Sequence, residues 1–270
     1  MFITLKNHKK MDVFPKVNLK ITNFQTKFFT CGFKVIKEFG ANYKLEDRLA
    51  LIVGISDYQY APILSNPVND AISMDLTLKS LGFETILATD LSQKELKEKI
   101  DDFGNQLEHS DIGMFFFAGH GIQSDGVNYL IPNDANLKKE AQLEYDAVPI
   151  DRVLTMMQNN RTKTNIIILD ACRNNPFRGW SRKINSGGLA PMDSPKGSFI
   201  AFATSPNSTA SDGAGDNGLY TSAILKHIVT PNIPIEQLFK RVRIDVEKES
   251  NGEQQPWETT SLTGEFYFKK

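Results

Sequence analysis

The stretch "NIIILDAC", residues 165–172, runs four apolar residues into Asp170 and ends two positions later on the thiol of Cys172. A short, continuous apolar run between polar residues is the pattern of a strand buried on both faces, as in a parallel sheet. Outward from it the same pattern recurs. "RLALIVGIS" (48–56) reads as a buried strand closed by Gly54, "FETILAT" (83–89) as a second, and "DIGMFFFAGHG" (111–121) as a third that ends on a glycine-flanked histidine. "GVNYLIP" (126–132) is a brief extended piece, "GSFIAFATS" (197–205) a further strand, and "GEFYF" (264–268) the last. Between them lie helical patterns. In "NPVNDAISMDLTLKSLGF" (66–83), Pro67 stands in the first turn, Val68, Ile72, Leu76 and Leu78 recur as the apolar set, and Gly82 is the expected C-cap. "SQKELKEKIDDFGNQLE" (92–108) is amphipathic with Ser92 as N-cap, and "PIDRVLTMMQ", "GLYTSAILKHIV" and "PIEQLFKRVRIDVEKES" complete the helices. Strand and helix alternate throughout, which predicts an α/β fold: a mainly parallel six-stranded sheet with helices on both faces.

Composition narrows the function classes. A chain of 270 residues with 40% apolar and 23% charged residues can bury a sizeable core. The net charge of −1 argues against a nucleic-acid or anionic-membrane partner. No run approaches the roughly 18 apolar residues of a membrane-spanning helix, and the N-terminus lacks a signal-peptide h-region and cleavage site. The two cysteines, Cys31 and Cys172, form neither a CxxC pair nor a zinc pattern. These features predict a cytoplasmic location and reduced thiols. Residues 1–46 carry nine lysines against three acids and read as a basic N-terminal extension outside the alternating pattern.

In an open α/β sheet, reactive side chains collect at the carboxyl ends of the strands. Here His120 follows "MFFFAG" and Cys172 follows "IIILDA". An imidazole within reach of a thiol raises the thiolate fraction and later protonates the leaving group, so the pair is the candidate nucleophile and base. Each alone has a plainer reading, as a small buried hydrophobe or a turn residue; together, at paired strand ends, they point to catalysis. A rival is the C-x5-R spacing of Cys172 and Arg178, by which phosphatases hold a phosphate over a thiolate. That loop needs backbone N–H donors and tight curvature, but "RNNPF" contains Pro176 and no glycine.

Taken as a set, "RLALIVGISDYQY", "NPVNDA", "FFFAGHGIQ", "NYLIPNDA", "ILDACRNNPF", "FATSPNSTASDG" and "QQPWETTSLTGEFYF" closely resemble the bacterial caspase-like cysteine peptidases, relatives of metacaspases and paracaspases in the caspase–haemoglobinase fold. The resemblance covers about residues 48–270. It implies a peptidase domain over 47–270, with a large-subunit-like part (47–185), a linker (175–197) and a small-subunit-like part (197–270). It implies an endopeptidase with a His120–Cys172 dyad, and an oxyanion hole built from the backbone N–H groups of Gly121 and Cys172. A glycine after the histidine would let a substrate carbonyl approach the backbone. No third residue that orients the histidine is singled out.

Residues i and i+2 of a strand share a face, so Asp170 is expected on the side of Cys172. Asp70 falls just inside the first helix, and Asp212 in the loop after "FIAFATS". In metacaspases and paracaspases, acids matching these three positions line the pocket for the side chain before the cleaved bond. The resemblance therefore implies protein or peptide substrates cut after Arg, and less efficiently after Lys, since a guanidinium matches paired carboxylates. Each acid also has a plainer reading, as a helix N-terminal charge, a loop anchor or a turn residue.

The linker "NNPFRGWSRKINSGGLAPMDSPKG" is polar and rich in Gly, Pro and Ser, hence expected to be exposed and mobile. Arg182 and Lys183 within it are candidate self-cleavage sites. Asp125 and Asp134, after His120, look like turn residues rather than a calcium cluster, so no metal or other cofactor is expected. Residues 1–46 are a candidate pro-segment that would cover the cleft or dock on a regulatory partner. The alternative to an enzyme is a catalytically silent caspase-like scaffold, which would have no need of an intact dyad.

Overall fold

The computed structural model describes residues 46–160, 162–172, 189–205 and 215–270, and for Cys172 the backbone alone. Residues Leu45–Lys270 form one compact unit. Its strands are β1 (Arg48–Gly54), β2 (Glu84–Thr89), β3 (Ile112–Ser124), β4 (Val127–Leu130), β5 (Val148–Pro149), β6 (Thr164–Cys172), β7 (Ser198–Phe202) and β8 (Trp257–Thr260). The helices are α1 (Pro67–Ser80), α2 (Gln93–Gln106), the one-turn α3 (Leu143–Asp146), α4 (Asp151–Asn159), α5 (Leu219–Ile228) and α6 (Ile235–Glu249). The main sheet runs β2-β1-β3-β6-β7-β8. Its first five strands are parallel and β8 closes the edge antiparallel. This is the expected six-stranded, mainly parallel sheet, with β4 and β5 added as a small antiparallel ladder on the far end of β3.

Alternation along the central strands divides the core into two layers. Leu51, Phe115, Phe117, Ile167 and Leu169 face α2 and α4, whereas Ile52, Phe116, Ile166 and Ile168 face α1, α5 and α6. Phe115, Phe116 and Phe117 are fully buried, and each contributes about 1.5–3 kcal/mol by leaving water. That is why a run of three aromatics can sit in one strand: helices cover both sides. No described helix is long and apolar enough to cross a membrane.

Ser92 caps α2 through a reciprocal bond with Glu95, and Gly82 terminates α1 at φ +84°. Two expectations are corrected. The buried face of α1 is Pro67, Asp70, Ala71, Met74, Asp75 and Leu78, while Ile72 and Leu76 face solvent. The helix packs on the sheet and beside α5, and its packed stripe includes two carboxylates because each meets a donor there: Asp70 the Gly218 N–H and Asp75 the Thr85 hydroxyl of β2. The last strand is Trp257–Thr260, not "GEFYF". Phe266 and Phe268 are buried, as the alternation suggested, but their backbone bonds elsewhere. Arg48 donates to the carbonyls of Tyr267 and Phe268, with its guanidinium over the rings of Phe83 and Phe266, and Ile235 N–H donates to the carbonyl of Phe266. An extended segment met by a side chain and a helix start has no sheet neighbour to pair with.

Candidate active site

β3 and β6 are neighbours near the middle of the sheet, and their register ends with His120 opposite Cys172. There β3 forks: from Gly121 onward it pairs with β4 instead. The two residues expected to carry the chemistry are thus brought together where β3 and β6 stop pairing; β3 does not end at the histidine, as expected, but runs on to Ser124.

His120 is buried, at 5% exposure. Its Nε2 lies 2.8 Å from the carbonyl oxygen of Pro62. A carbonyl only accepts, so this contact assigns the proton to Nε2 and leaves Nδ1 as the basic nitrogen. The phenol oxygen of Tyr58 accepts from the His120 backbone N–H at 2.7 Å, and the Tyr58 ring lies 4.5 Å from the imidazole, tilted by 49°. Gly119 makes room for this. At φ +154° it has a backbone that side chains rarely adopt, and a Cβ there would sit 2.6 Å from the Tyr58 hydroxyl.

Gly121 is also constrained, for a reason the sequence did not suggest. A Cβ at that position would meet Ala171 Cβ at 2.9 Å and Leu189 Cδ2 at 3.2 Å. The glycine lets β3 and β6 stay close beside the site. Residues 175–188 of the linker lie outside the described residues; of the rest, Pro191, Asp193 and Lys196 are exposed as expected, but Leu189 is not. It is 2% exposed and belongs to the core, and the next residue, Ala190, exchanges two hydrogen bonds with the buried side chain of Asn128. Leu189 and Ala190 are therefore packed against the β3–β4 hairpin. Arg182 and Lys183 lie outside the described residues.

The acids form a second cluster. Asp70, in the first turn of α1 and 3% exposed, accepts from the Gly218 backbone N–H at 2.9 Å. With its amide nitrogen turned toward the acceptors, Asn217 donates to the same carboxylate. Asp170 accepts from the hydroxyl of Thr221 at 2.7 Å. Both donors belong to the start of α5, whose dipole also favours negative charge there. Gly218 separates the two carboxylates: a Cβ on it would lie 3.1 Å from Asp70 Oδ2 and 3.5 Å from Asp170 Oδ2. Asp70 and Asp170 thus converge on one point, one residue pair away from Cys172 along β6, about 7 Å at strand spacing. Asp212 lies outside the described residues. Asp125 occupies the β3–β4 turn at φ +48°, and Asp134 accepts from the N–H of Gln93 at the start of α2. Among the described residues no three metal-ligating side chains gather.

A family model, the caspase domain of the C14 peptidases, matches residues 47–267. The chain belongs to the caspase-domain family. It is 28% identical over 128 residues to human mucosa-associated lymphoid tissue lymphoma translocation protein 1, covering 47% of this chain and 15% of that protein. To rat caspase-1 it is 24% identical over 246 residues, covering 82% of this chain and 59% of the relative. The chain thus spans well under two thirds of the length of these curated relatives. In fold it is similar to the crystal structure of caspase-1 from Spodoptera frugiperda, with a TM-score of 0.62 at 17% identity over 83% of this chain and 91% of that one.

Within this caspase domain, sequence reasoning missed four contributors. Tyr58 sits in "GISDYQY" and Thr221 in "GLYTSAILKH", stretches that read as a loop and a helix. Tyr58 could have been noticed as an aromatic in a polar loop after a buried strand. Gly218 could have been read as a helix-start glycine. The Pro62 carbonyl leaves no sequence signal, because every residue carries one.

Proposed function

We propose that this caspase domain is a cysteine endopeptidase that cuts peptide bonds after Arg, and less efficiently after Lys. The observation that carries the reading is the register of His120 opposite Cys172, with Nε2 of the histidine engaged by the Pro62 carbonyl. In the proposed mechanism Nδ1 takes the thiol proton. The thiolate sulfur bonds to the substrate carbonyl carbon, and the resulting oxyanion accepts from the N–H groups of Gly121 and Cys172. A donor of this kind is worth about 2.7–4 kcal/mol in the transition state. As the carbon–nitrogen bond breaks, the Nδ1 proton passes to the leaving amine. Water, deprotonated by the same nitrogen, then bonds to the thioester carbon; the carbon–sulfur bond breaks, the acid is released and the Nδ1 proton returns to the sulfur.

The specificity rests on Asp70 and Asp170. Two carboxylates that converge on one point favour a cation between them, and a guanidinium can bond both through its planar fork. Their donors on α5 act as partial counter-charges, so the pair can remain ionised before substrate arrives. Asp212 is proposed as the third acid of the pocket.

The test uses purified protein with fluorogenic peptides ending in Arg, Lys or Asp, with Cys172→Ala alongside and with or without calcium. Release from the Arg peptide that vanishes in Cys172→Ala is the expected result. Cleavage of the Asp peptide instead would keep the dyad and overturn the acidic pocket. No cleavage of any peptide, before or after removal of residues 1–46, would favour the scaffold alternative. For self-cleavage at Arg182 or Lys183, wild type should differ in intact mass from Cys172→Ala; identical single species would sink that part.

A further inference from the structure

The segment between β1 and α1 meets His120 at three places: the ring face and the backbone N–H through Tyr58, and Nε2 through the Pro62 carbonyl. A tyrosine that merely filled the core would spread its ring and hydroxyl over different neighbours. Tyr58 belongs to the core, yet its ring and its hydroxyl both also reach His120, through a gap that exists because residue 119 has no side chain.

The segment is itself fastened on either side of Tyr58. Asp90, just beyond β2, accepts with Oδ1 from the N–H groups of Ser56 at 2.7 Å and Asp57 at 2.9 Å. It does so at φ +50°, a conformation that Asp and Asn adopt more readily than most residues. On the other side, Gln59 N–H donates to the carbonyl of Asn133 at 2.8 Å. Asn133 closes the circuit, because its side-chain amide donates to the Asp90 carbonyl at 2.5 Å and its own N–H donates to Leu91. Ser56 ties in the far end, accepting from Leu64 N–H on its carbonyl and from Val68 N–H on its hydroxyl.

We propose that Tyr58 is a positioning residue for His120, and that Asp90 and Asn133 form the clasp that holds Tyr58 in place. The inference rests on the reading of His120 as the base that activates Cys172. A nitrogen that must take a proton from a thiol tolerates little misplacement, and support of this kind is what sets its position. Two consecutive amides on one carboxylate oxygen, and a third on a neighbouring carbonyl, leave the intervening Tyr58 little freedom to swing away.

The experiment compares wild type with Tyr58→Phe, Asp90→Ala, Asp90→Asn and His120→Ala. It measures kcat and KM on the Arg peptide, the rate at which iodoacetamide alkylates Cys172, and the thermal midpoint. Tyr58→Phe should lower kcat about tenfold with KM changed less than about twofold, and alkylation should slow in parallel. Asp90→Ala should do the same, and Asp90→Asn, which keeps the acceptor oxygen and tolerates the backbone, should restore most of the rate. If Tyr58→Phe and Asp90→Ala lower the midpoint but leave kcat and alkylation per folded molecule at wild-type values, the role is structural and the proposal falls. Should Tyr58→Phe not fold, the contrast between Ala and Asn at position 90 decides alone. Equal alkylation of wild type and His120→Ala has a different meaning: it removes His120 as the base and overturns the peptidase reading and this inference together.

Discussion

His120 and the Asp70–Asp170 pair are held in place by opposite means. The imidazole is gripped by uncharged groups of a loop, a phenol and a backbone carbonyl. The carboxylates are gripped by donors at the start of a helix, a backbone N–H and a threonine hydroxyl. The difference follows the work that the proposed mechanism gives each group. A base must change its protonation state during each cycle, so neutral partners fix its orientation without locking its charge. A pocket for a cation must keep its negative charge, so its partners are donors that favour the anion.

Four experiments bear on this contrast, the strongest first. Removing either member of the dyad, as His120→Ala or Cys172→Ala, should lower kcat on the Arg peptide by at least ~1000-fold. The far-ultraviolet circular dichroism spectrum should stay unchanged. A much smaller loss for His120→Ala would mean that the neutral grip serves packing alone. Next, Asp170→Asn should cost about 2 kcal/mol of transition-state binding, a ~30-fold fall in kcat/KM on the Arg peptide, carried mainly by KM. An unchanged ratio of Arg to Lys cleavage would detach Asp170 from recognition. Weaker again is Thr221→Val, which removes one donor from Asp170. About 1 kcal/mol, or roughly fivefold in kcat/KM, should be lost, and Thr221→Ser should regain it. Loss in both variants would point to packing rather than the hydroxyl. The smallest effect is that of salt. Raising ionic strength should increase KM for the Arg peptide roughly twofold while leaving the alkylation rate of Cys172 nearly constant. Equal sensitivity of the two readouts would erase the distinction between a neutral and a charged grip.

The caps and buried strands were legible because they are local. Ser92 with Glu95 three residues on, and Gly82 after the last turn of α1, specify helix ends through contacts within one turn. Other expectations failed where distant neighbours decided. The apolar spacing predicts a packed face at Ile72 and Leu76, yet α1 buries Asp70 and Asp75 instead. "GEFYF" has the alternation of a strand, but the edge position was filled by β8, and Arg48 with the start of α6 took its backbone bonds. Leu189, in a polar linker, docks into the core, and Asn128 holds the next residue by both its N–H and its carbonyl.

The sequence by itself determined the alternation of strand and helix, the placing of His120 and Cys172 just beyond the apolar stretches of their strands, and, through likeness of motif, the family. These depend on periodicity, chain punctuation and residue order, which are properties of the chain read in one dimension. Only the tertiary structure decided which groups orient the histidine and what keeps the buried Asp70 beside the half-buried Asp170. Tyr58 and His120 are 62 positions apart, and Gly218 and Asp70 are 148 apart. Contacts at such separations arise from how the β1–α1 segment and α5 pack over the sheet. A backbone carbonyl or N–H, present in nearly every residue, acquires a role only when packing aims it at a partner.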